Sequence, residues 1–403
     1  MPVVANVPAL DGKQPLRFGM AGLGVAFNFI AWRTTGWPHV KFTAACDVRQ
    51  SALDTFKTEF GGETYLDFTQ MCRSPNVDVV YIVTPNRFHR DQVITAAEHG
   101  KHVIIDKPMA TSVEDCEAMN KAAERAGVVL ICGHSHSYGP AVQKMREIVA
   151  SGEIGGLRMI NTWHFNEWIY RPRAAWELEA EGGGNLIFNQ GAHQVDIVRV
   201  LGGGLVRSVR ATTGVWDPDR KTEGAYSAYM DFEDGAVATL VYNSYAHFDT
   251  AELTGWFGEG PRTLERNLQA RKRLRDIANA GEEATAKESW RYGSPTRPQL
   301  SGGRSALAHF GLTVVSCEHG DIRQSPNGLL VYGDERMWEV PVEGTTDASN
   351  GAIQNMYDVL VHGAAILRSG RWGQATTEVL VGIMDSARQR REVPMRCQVA
   401  SAQ

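Results

Sequence analysis

The chain has 403 residues, and because a single hydrophobic core stops growing near roughly 250 to 300 residues, two domains are expected. Its composition, 43% hydrophobic and 22% charged, is that of an ordinary globular protein and excludes disordered and collagen-like classes. A formal net charge of -5 leaves no surplus of Lys and Arg to neutralise a polyanion, which argues against nucleic acid as a partner.

At the N-terminus, Met1-Pro2-Val3-Val4 offers no basic stretch leading into an apolar one, and nowhere do about 18 apolar residues run together. No membrane contact is expected, and the expected compartment is cytoplasmic. Residues 16–132 alternate short apolar runs, at 17–21, 40–46, 77–83, 102–105 and 128–132, with amphipathic stretches at 51–60, 90–99 and 113–126. This is the pattern of a parallel sheet covered by helices on both faces. Gly100 and Gly127 sit where helix stops belong.

The first apolar run leads into Gly22-Leu23-Gly24-Val25-Ala26-Phe27. Two glycines so spaced permit a tight turn and a backbone close enough to a pyrophosphate for its charge to sit on a helix N-terminus. Phe27 stands where the dinucleotide fingerprint prefers Gly or Ala. Asp47 follows the second run, about 20 positions further on, where a carboxylate accepts from ribose hydroxyls. A carboxylate there repels a 2′-phosphate, so NAD is expected over NADP, with Arg49 placed to stack on adenine or to rescue such a phosphate. The bland alternative is a turn with paired glycines and an unrelated surface Asp. Later strands run into Thr84-Pro85-Asn86-Arg87-Phe88-His89 and Asp106-Lys107-Pro108, on the edge where doubly wound sheets bind ligands. Lys107, its backbone pinned by the following Pro, is either a proton donor or acceptor aimed across the crevice or a surface lysine.

After a helix near 141–150, strand-like runs follow at 157–165, 206–216, 225–232 and 236–245, with helices at 188–201, 353–368 and 376–390. The expected architecture is an α/β Rossmann domain with a doubly wound parallel sheet at 1–140, joined to an α+β domain with a large, mostly antiparallel open sheet at 141–403. A charged insertion at 261–304, rich in Arg, Glu, Gly and Pro, reads as a solvated excursion or mobile flap in preference to a binding element. The six cysteines are scattered, which fits a reducing compartment. Cys132-Gly-His134-Ser-His136 and Cys317-Glu-His319 lack zinc-site spacing, so no metal is expected.

Together the glycine loop, Thr84-Pro85-Asn86 with His89, Asp106-Lys107-Pro108, and Gly182-Gly183-Gly184 leading to Gly191-Ala192-His193-Gln194-Val195-Asp196 resemble the Gfo/Idh/MocA oxidoreductases. The resemblance covers the chain apart from the charged insertion. It implies that Lys107 and His193 form the acid/base pair that handles a substrate hydroxyl proton while hydride passes to C4 of the nicotinamide. Candidate cofactor-binding residues are Gly22, Leu23, Gly24, Val25, Ala26, Phe27, Asp47, Arg49, Thr84, Pro85, Asn86, His89, Asp106 and Lys107. Where the family commonly has an Asp four residues before the His, this chain has Asn189, which can hold a hydroxyl but cannot take its proton. Asp196, one turn after His193, is expected to orient the imidazole; the bland reading of His193 is an interior residue of an amphipathic helix.

Within the family, Gly133-His134-Ser135-His136-Ser137, Tyr170-Arg171-Pro172-Arg173, the segment 192–199 and Val331-Tyr332-Gly333-Asp334 resemble the phthalate 4,5-cis-dihydrodiol dehydrogenase branch. That implies oxidation of a phthalate cis-4,5-dihydrodiol to 4,5-dihydroxyphthalate, driven by rearomatisation. Candidate substrate-binding residues are His134, His136, Trp163, Tyr170, Arg171, Arg173, Asn189 and His193. Arg171 and Arg173 are the paired cations a cyclic dicarboxylate diol needs, unless they form salt bridges with Glu177 or Glu179. His134 and His136 either reach the same mouth or cap their strand. A sugar or polyol (inositol-like) dehydrogenase and a non-catalytic dinucleotide-binding protein are the alternatives. The resemblance further implies a homodimer or homotetramer.

Overall fold

The first sheet consists of β1 (Leu16–Ala21), β2 (Val40–Cys46), β3 (Glu63–Tyr65), β4 (Val79–Ile82), β5 (His102–Asp106) and β6 (Leu130–Gly133). All its neighbouring strands are parallel, in the order β3-β2-β1-β4-β5-β6. The computed structural model describes residues 15–34, 36–178, 183–259, 269–277, 280–297, 307–342 and 351–402. Glu179, Gly182 and the parts of the predicted insertion at 261–268, 278–279 and 298–304 lie outside them.

Alternate residues of each strand feed two different cores, which is why these runs read as continuously apolar. Phe18, Met20 and Tyr81 pack under α1 (Val25–Thr34) and α2 (Gln50–Phe60). Val80, Ile82, Val103 and Ile105 pack under α3 (Phe68–Arg73), α4 (His89–Glu98) and α5 (Val113–Ala126). Ser112 caps α5 by accepting from the Asp115 N–H, and Gly127 ends it at φ 65°. Strand order reverses on either side of β1, so the crevice at the carboxyl ends of β1 and β4 is the ligand position of this topology.

The second sheet has nine strands among the described residues: β7 (Leu157–Phe165), β8 (Val206–Gly214), β9 (Ala225–Phe232), β10 (Val237–Asn243), β11 (Leu312–Cys317), β12 (Gly320–Ser325), β13 (Gly328–Gly333), β14 (Met337–Pro341) and β15 (Val393–Pro394). Its pairs are antiparallel except β7 with β10. The strands β11 to β14 were not anticipated, because their outward positions include Asp321, Arg323 and Glu339 and leave the apolar alternation thin. One face is covered by α6 (Pro140–Ser151), α7 (Ala192–Leu201) and α11 (Gly370–Gln389).

Two expectations are corrected here. The helix expected over 353–368 stops at His362, and this α10 (Gly351–His362) packs Ile353, Met356 and Leu360 into the core of the first sheet, so the chain returns to the N-terminal domain after leaving it. The described part of the insertion, including α8 (Ala270–Asp276) and α9 (Ala280–Glu288), is no solvated flap. Four of its charges are partnered: Arg271 with Glu167, Glu283 with Arg220, Lys287 with Glu177 and Arg297 with Glu59, while α8 keeps an exposed face at Lys272, Arg273, Arg275 and Asp276. Tyr292 is buried against Phe27, ring centroids 4.8 Å apart, so the segment spans from the second domain onto the first. A charge-rich text looks solvated only while its partners, many residues away, are unknown.

Candidate active site

Gly22 takes φ 91° directly after β1, and a side chain there would meet Thr84 and the Val83 carbonyl at 3.1 Å. Above Gly24 there is open space, and the first turn of α1, with Val25 and Ala26, lines the cavity described below. This is the cradle a pyrophosphate requires. Asp47, just after β2, accepts from the Leu23 N–H at 2.6 Å and the Arg49 N–H at 2.8 Å, and its remaining sites take the Arg49 guanidinium at 3.2 and 3.4 Å, contacts a ribose hydroxyl would replace. The Arg49 guanidinium is already engaged by Asp47, the Leu23 carbonyl at 2.6 Å and the Tyr292 carbonyl at 3.2 Å. It turns no free fork to a 2′-phosphate, and the residues present fit NAD.

Next to this edge lies a cavity of about 620 Å³ between the two domains, lined by Val25, Ala26, Asp106, Lys107, His136, Arg171, Arg173, Asn189 and His193 among others. Lys107 arrives from the end of β5 and donates from Nζ to the Asn189 carbonyl at 2.7 Å. Asn189 belongs to a single π-helical turn, Ile187–Gly191, that runs into α7 and His193. The Asn189 side chain faces Gln190, whose amide donates to Oδ1 at 3.0 Å. Burial pushes the Lys107 ammonium below its ordinary range, against the pull of Asp106 and Glu259. Burial likewise holds the His193 imidazole well below its usual value, and the neighbouring Lys107 charge lowers it further. Both groups are therefore poised towards their neutral, proton-accepting forms.

Five of the expected site residues are placed elsewhere. Phe27 points into the aromatic core with Phe42, Phe56 and Phe60, which explains how a bulky residue is tolerated at that point of the loop. His89 is buried as a clip, its ring nitrogens 2.8 Å from the Thr84 carbonyl and 3.2 Å from that of Met109. His134 is buried behind the cavity wall, and neither ring nitrogen has a partner there. Trp163 is 45% exposed on the outer face of the large sheet, because the inward parity of β7 is set by Ile160, Thr162 and His164. Tyr170 is covered by the Arg271 guanidinium, 4.1 Å from its ring centroid, and stands outside the cavity lining. Pro85 and Asn86 remain on the cofactor edge, at the start of the short turn Asn86–Phe88 after β4, and Thr84 donates to Gln92.

Asp196 does not orient His193. Its Oδ1 accepts from the Trp372 indole and its Oδ2 lies 3.9 Å from Arg368, in a wholly buried cluster with Arg199, while His193 Nδ1 is without a partner among the described residues. What backs His193 is aromatic: His136, at a centroid distance of 4.4 Å, and Phe310, at 5.2 Å. Burial brings His136 and His164 down to about 4, so both are neutral acceptors or donors in the wall.

The two arginines differ. Arg173 is buried, stacked 3.5 Å from the Trp168 ring centroid, bonded to the Trp168 carbonyl at 2.7 Å and 3.5 Å from Glu177. Arg171 has 49% of its side chain exposed and, among the described residues, one ionic partner, Glu259, at 3.6 Å. Glu259, His164, Asn166 and Lys287 also line the cavity, and none was singled out from the sequence. The parity of β7 was the one available signal, since it puts His164 inward with Ile160; Glu259 and Lys287 carry no motif at all.

Residues 16–134 match the model of an oxidoreductase family with an NAD-binding Rossmann fold, and residues 142–259 match the Gfo/Idh/MocA C-terminal domain. A 1-carboxy-3-chloro-3,4-dihydroxycyclohexa-1,5-diene dehydrogenase of Comamonas testosteroni is 34% identical, over 93% of this chain and 95% of its own length. A scyllo-inositol 2-dehydrogenase (NAD(+)) of Bacillus subtilis is 26% identical over 61% of this chain and 73% of its own. A crystal structure of a Bordetella bronchiseptica RB50 protein, named only as a dehydrogenase, superposes with a TM-score of 0.89 at 37% identity, over 94% of this chain and 100% of that one.

Proposed function

The chain belongs to the Gfo/Idh/MocA oxidoreductase family, and from that premise we propose that it oxidises one hydroxyl of a carboxylated cyclic diol with NAD, Lys107 and His193 taking the proton. The observation that carries this reading is the meeting of Lys107 and His193, from two different domains, in one cavity that opens at the cofactor cradle. NAD, when bound, supplies the hydride acceptor. The chain's own work is to hold the carbinol, exclude water and move the hydroxyl proton. Lys107, fixed by the Asn189 carbonyl and lowered by burial, accepts it, and His193 stands by as the second acceptor.

Among the described residues Arg171 is the cation free to meet a substrate carboxylate, since one recorded ionic contact there, at 3.6 Å, leaves most of its donors open. The Comamonas relative's name describes a ring with a single carboxyl group, which agrees with one available arginine. The phthalate dihydrodiol is the finer reading, and its second carboxylate would require Arg173 to leave Glu177 and the Trp168 carbonyl. A polyol is the second reading, favoured by the density of hydrogen-bonding side chains at His136, His164, Asn166 and Glu259.

The test is reduced-nicotinamide absorbance while carboxylated cyclic diols, uncharged polyols and NAD are offered together in a panel. Turnover of no alcohol at all would sink the proposal. Replacing Arg171 with Met should raise KM for the carboxylated diol by about 10- to 100-fold, the worth of a charge-assisted hydrogen bond, and leave an uncharged polyol unaffected. An unmoved KM for the acid would favour the polyol reading.

Met159, Trp163, Tyr229 and Met337 stand exposed on the outer face of the large sheet, and this apolar face supports the expected homodimer or homotetramer. Light scattering on the Trp163→Asp variant should then give the mass of a smaller species, whereas an unchanged mass would move the interface elsewhere. Among the described residues no helix is long and apolar enough to cross a membrane, and all six cysteines are free, which supports a reducing, cytoplasmic setting.

A further inference from the structure

Among the described residues four carboxylates line the cavity; Glu177 spends both oxygens within the protein, and burial raises the carboxyls of Asp106 and Asp249 towards the protonated form. Asp106 stands beside Lys107 and acts on its charge. Glu177 faces Arg173 and Lys287 with one oxygen and accepts from the Ala174 N–H at 2.9 Å with the other. Asp249 caps the short turn Thr250–Thr254 by accepting from the Ala251 N–H at 2.9 Å.

Glu259 is held differently. Its Oε1 accepts from Asn166 Nδ2 at 3.3 Å and lies 3.3 Å from His164 Nε2, while among the described residues Oε2 has only the Arg171 guanidinium, at 3.6 Å. A carboxylate offers about four lone-pair sites, so Oε2 presents unused acceptor capacity to the cavity. Burial works to raise this carboxyl, but the Arg171 guanidinium foremost opposes it, and the carboxyl is held below its ordinary range. It is thus an ionised group that accepts and never donates. Its charge acts on Lys107 and on His136, the ring that touches His193, which puts it within electrostatic reach of the proton-accepting pair.

We propose that Glu259 binds the second hydroxyl of the substrate, the one that is not oxidised, and so makes the site select vicinal diols over lone alcohols. The inference rests on the diol-dehydrogenase reading above. Two cis hydroxyls on adjacent ring carbons project to the same side, so one can reach Lys107 and His193 while its neighbour donates to Glu259. A lone alcohol leaves the partly desolvated Oε2 with nothing but its long contact to Arg171, and that unmet hydrogen bond is the source of discrimination.

The experiment compares kcat/KM for a cyclic cis-diol and for the matched alcohol lacking the neighbouring hydroxyl, in the parent, Glu259→Met and Glu259→Gln proteins. The parent should prefer the diol by about 10- to 100-fold, the range of a hydrogen bond to a charged group. Glu259→Met, which removes the acceptor, should lose most of that preference, because the diol suffers more than the lone alcohol. Glu259→Gln keeps the shape and one neutral acceptor and should retain part of it. A merely structural role would lower both substrates alike and leave their ratio unchanged, and an unchanged ratio in either folded variant overturns the proposal. A parent that turns over the lone alcohol as well as the diol overturns it too, while leaving the dehydrogenase reading intact. A parent inactive on every alcohol is the separate failure of that reading, and the selection falls with it.

Discussion

Lys107→Met should lower kcat/KM for alcohol oxidation by about 100- to 10,000-fold, the usual worth of a positioned acid or base, while NAD binding followed by fluorescence or calorimetry persists. Met fills a similar volume at the end of β5 but can neither accept a proton nor bond to the Asn189 carbonyl. The pH profile supplies a second, independent readout. Oxidation needs neutral Lys107, so its rate should rise with pH through a lysine pKa that burial has lowered. The reverse reduction needs the ammonium and should fall over the same interval. In the Met variant this limb should vanish from both directions. A variant that keeps the limb, or loses NAD binding along with turnover, would remove Lys107 from the proton-transfer role.

Asp196→Ala should cost about 3–5 kcal/mol of stability, because breaking one side of a buried ionic cluster leaves its cations without compensation. Arg199 and Arg368 are both fully buried. Arg199 lies 3.8 Å from the Trp372 ring centroid and donates to the Trp372 carbonyl at 3.1 Å and the Thr376 hydroxyl at 2.7 Å. Arg368 donates to Ser137 at 3.2 Å, and its backbone carbonyl accepts from the Cys132 N–H at 2.8 Å, which ties α11's approach to the end of β6. Asp196 lies 3.9 Å from Arg368, its charge acts on Arg199, and it takes the Trp372 indole N–H. Denaturant titration should show a lower midpoint with an unchanged slope. Asp196→Asn, which keeps an acceptor for Trp372 but no charge, should fall between. Were Asp196 the orienting partner of His193 instead, the Asn variant would lose turnover with little change in stability.

Much of the frame was legible because it is written in local periods. Apolar runs separated by amphipathic stretches specified a parallel sheet, and glycine turns located helix ends such as Gly127 at φ 65°. The tight turn at Gly22 and the carboxylate just after β2 were legible because both are short-range features, and the structure puts them side by side, Asp47 accepting from the Leu23 N–H. Lys107 and His193 were found through motifs in two domains, and both line the same cavity.

The tertiary structure alone decided which polar side chains face that cavity. Sequence proximity grouped Trp163 with Arg171 and Arg173, but strand parity turned Trp163 outward, and the neighbouring Glu177 and Trp168 engaged Arg173. His89 and His134 looked available and were buried. Glu259 reaches Arg171 and His164 across some ninety positions of chain, and Lys287 reaches Glu177 from more than a hundred away. Propensity and spacing act over a few residues, whereas the destination of a charged side chain is set by which distant partner the packed domains bring to it.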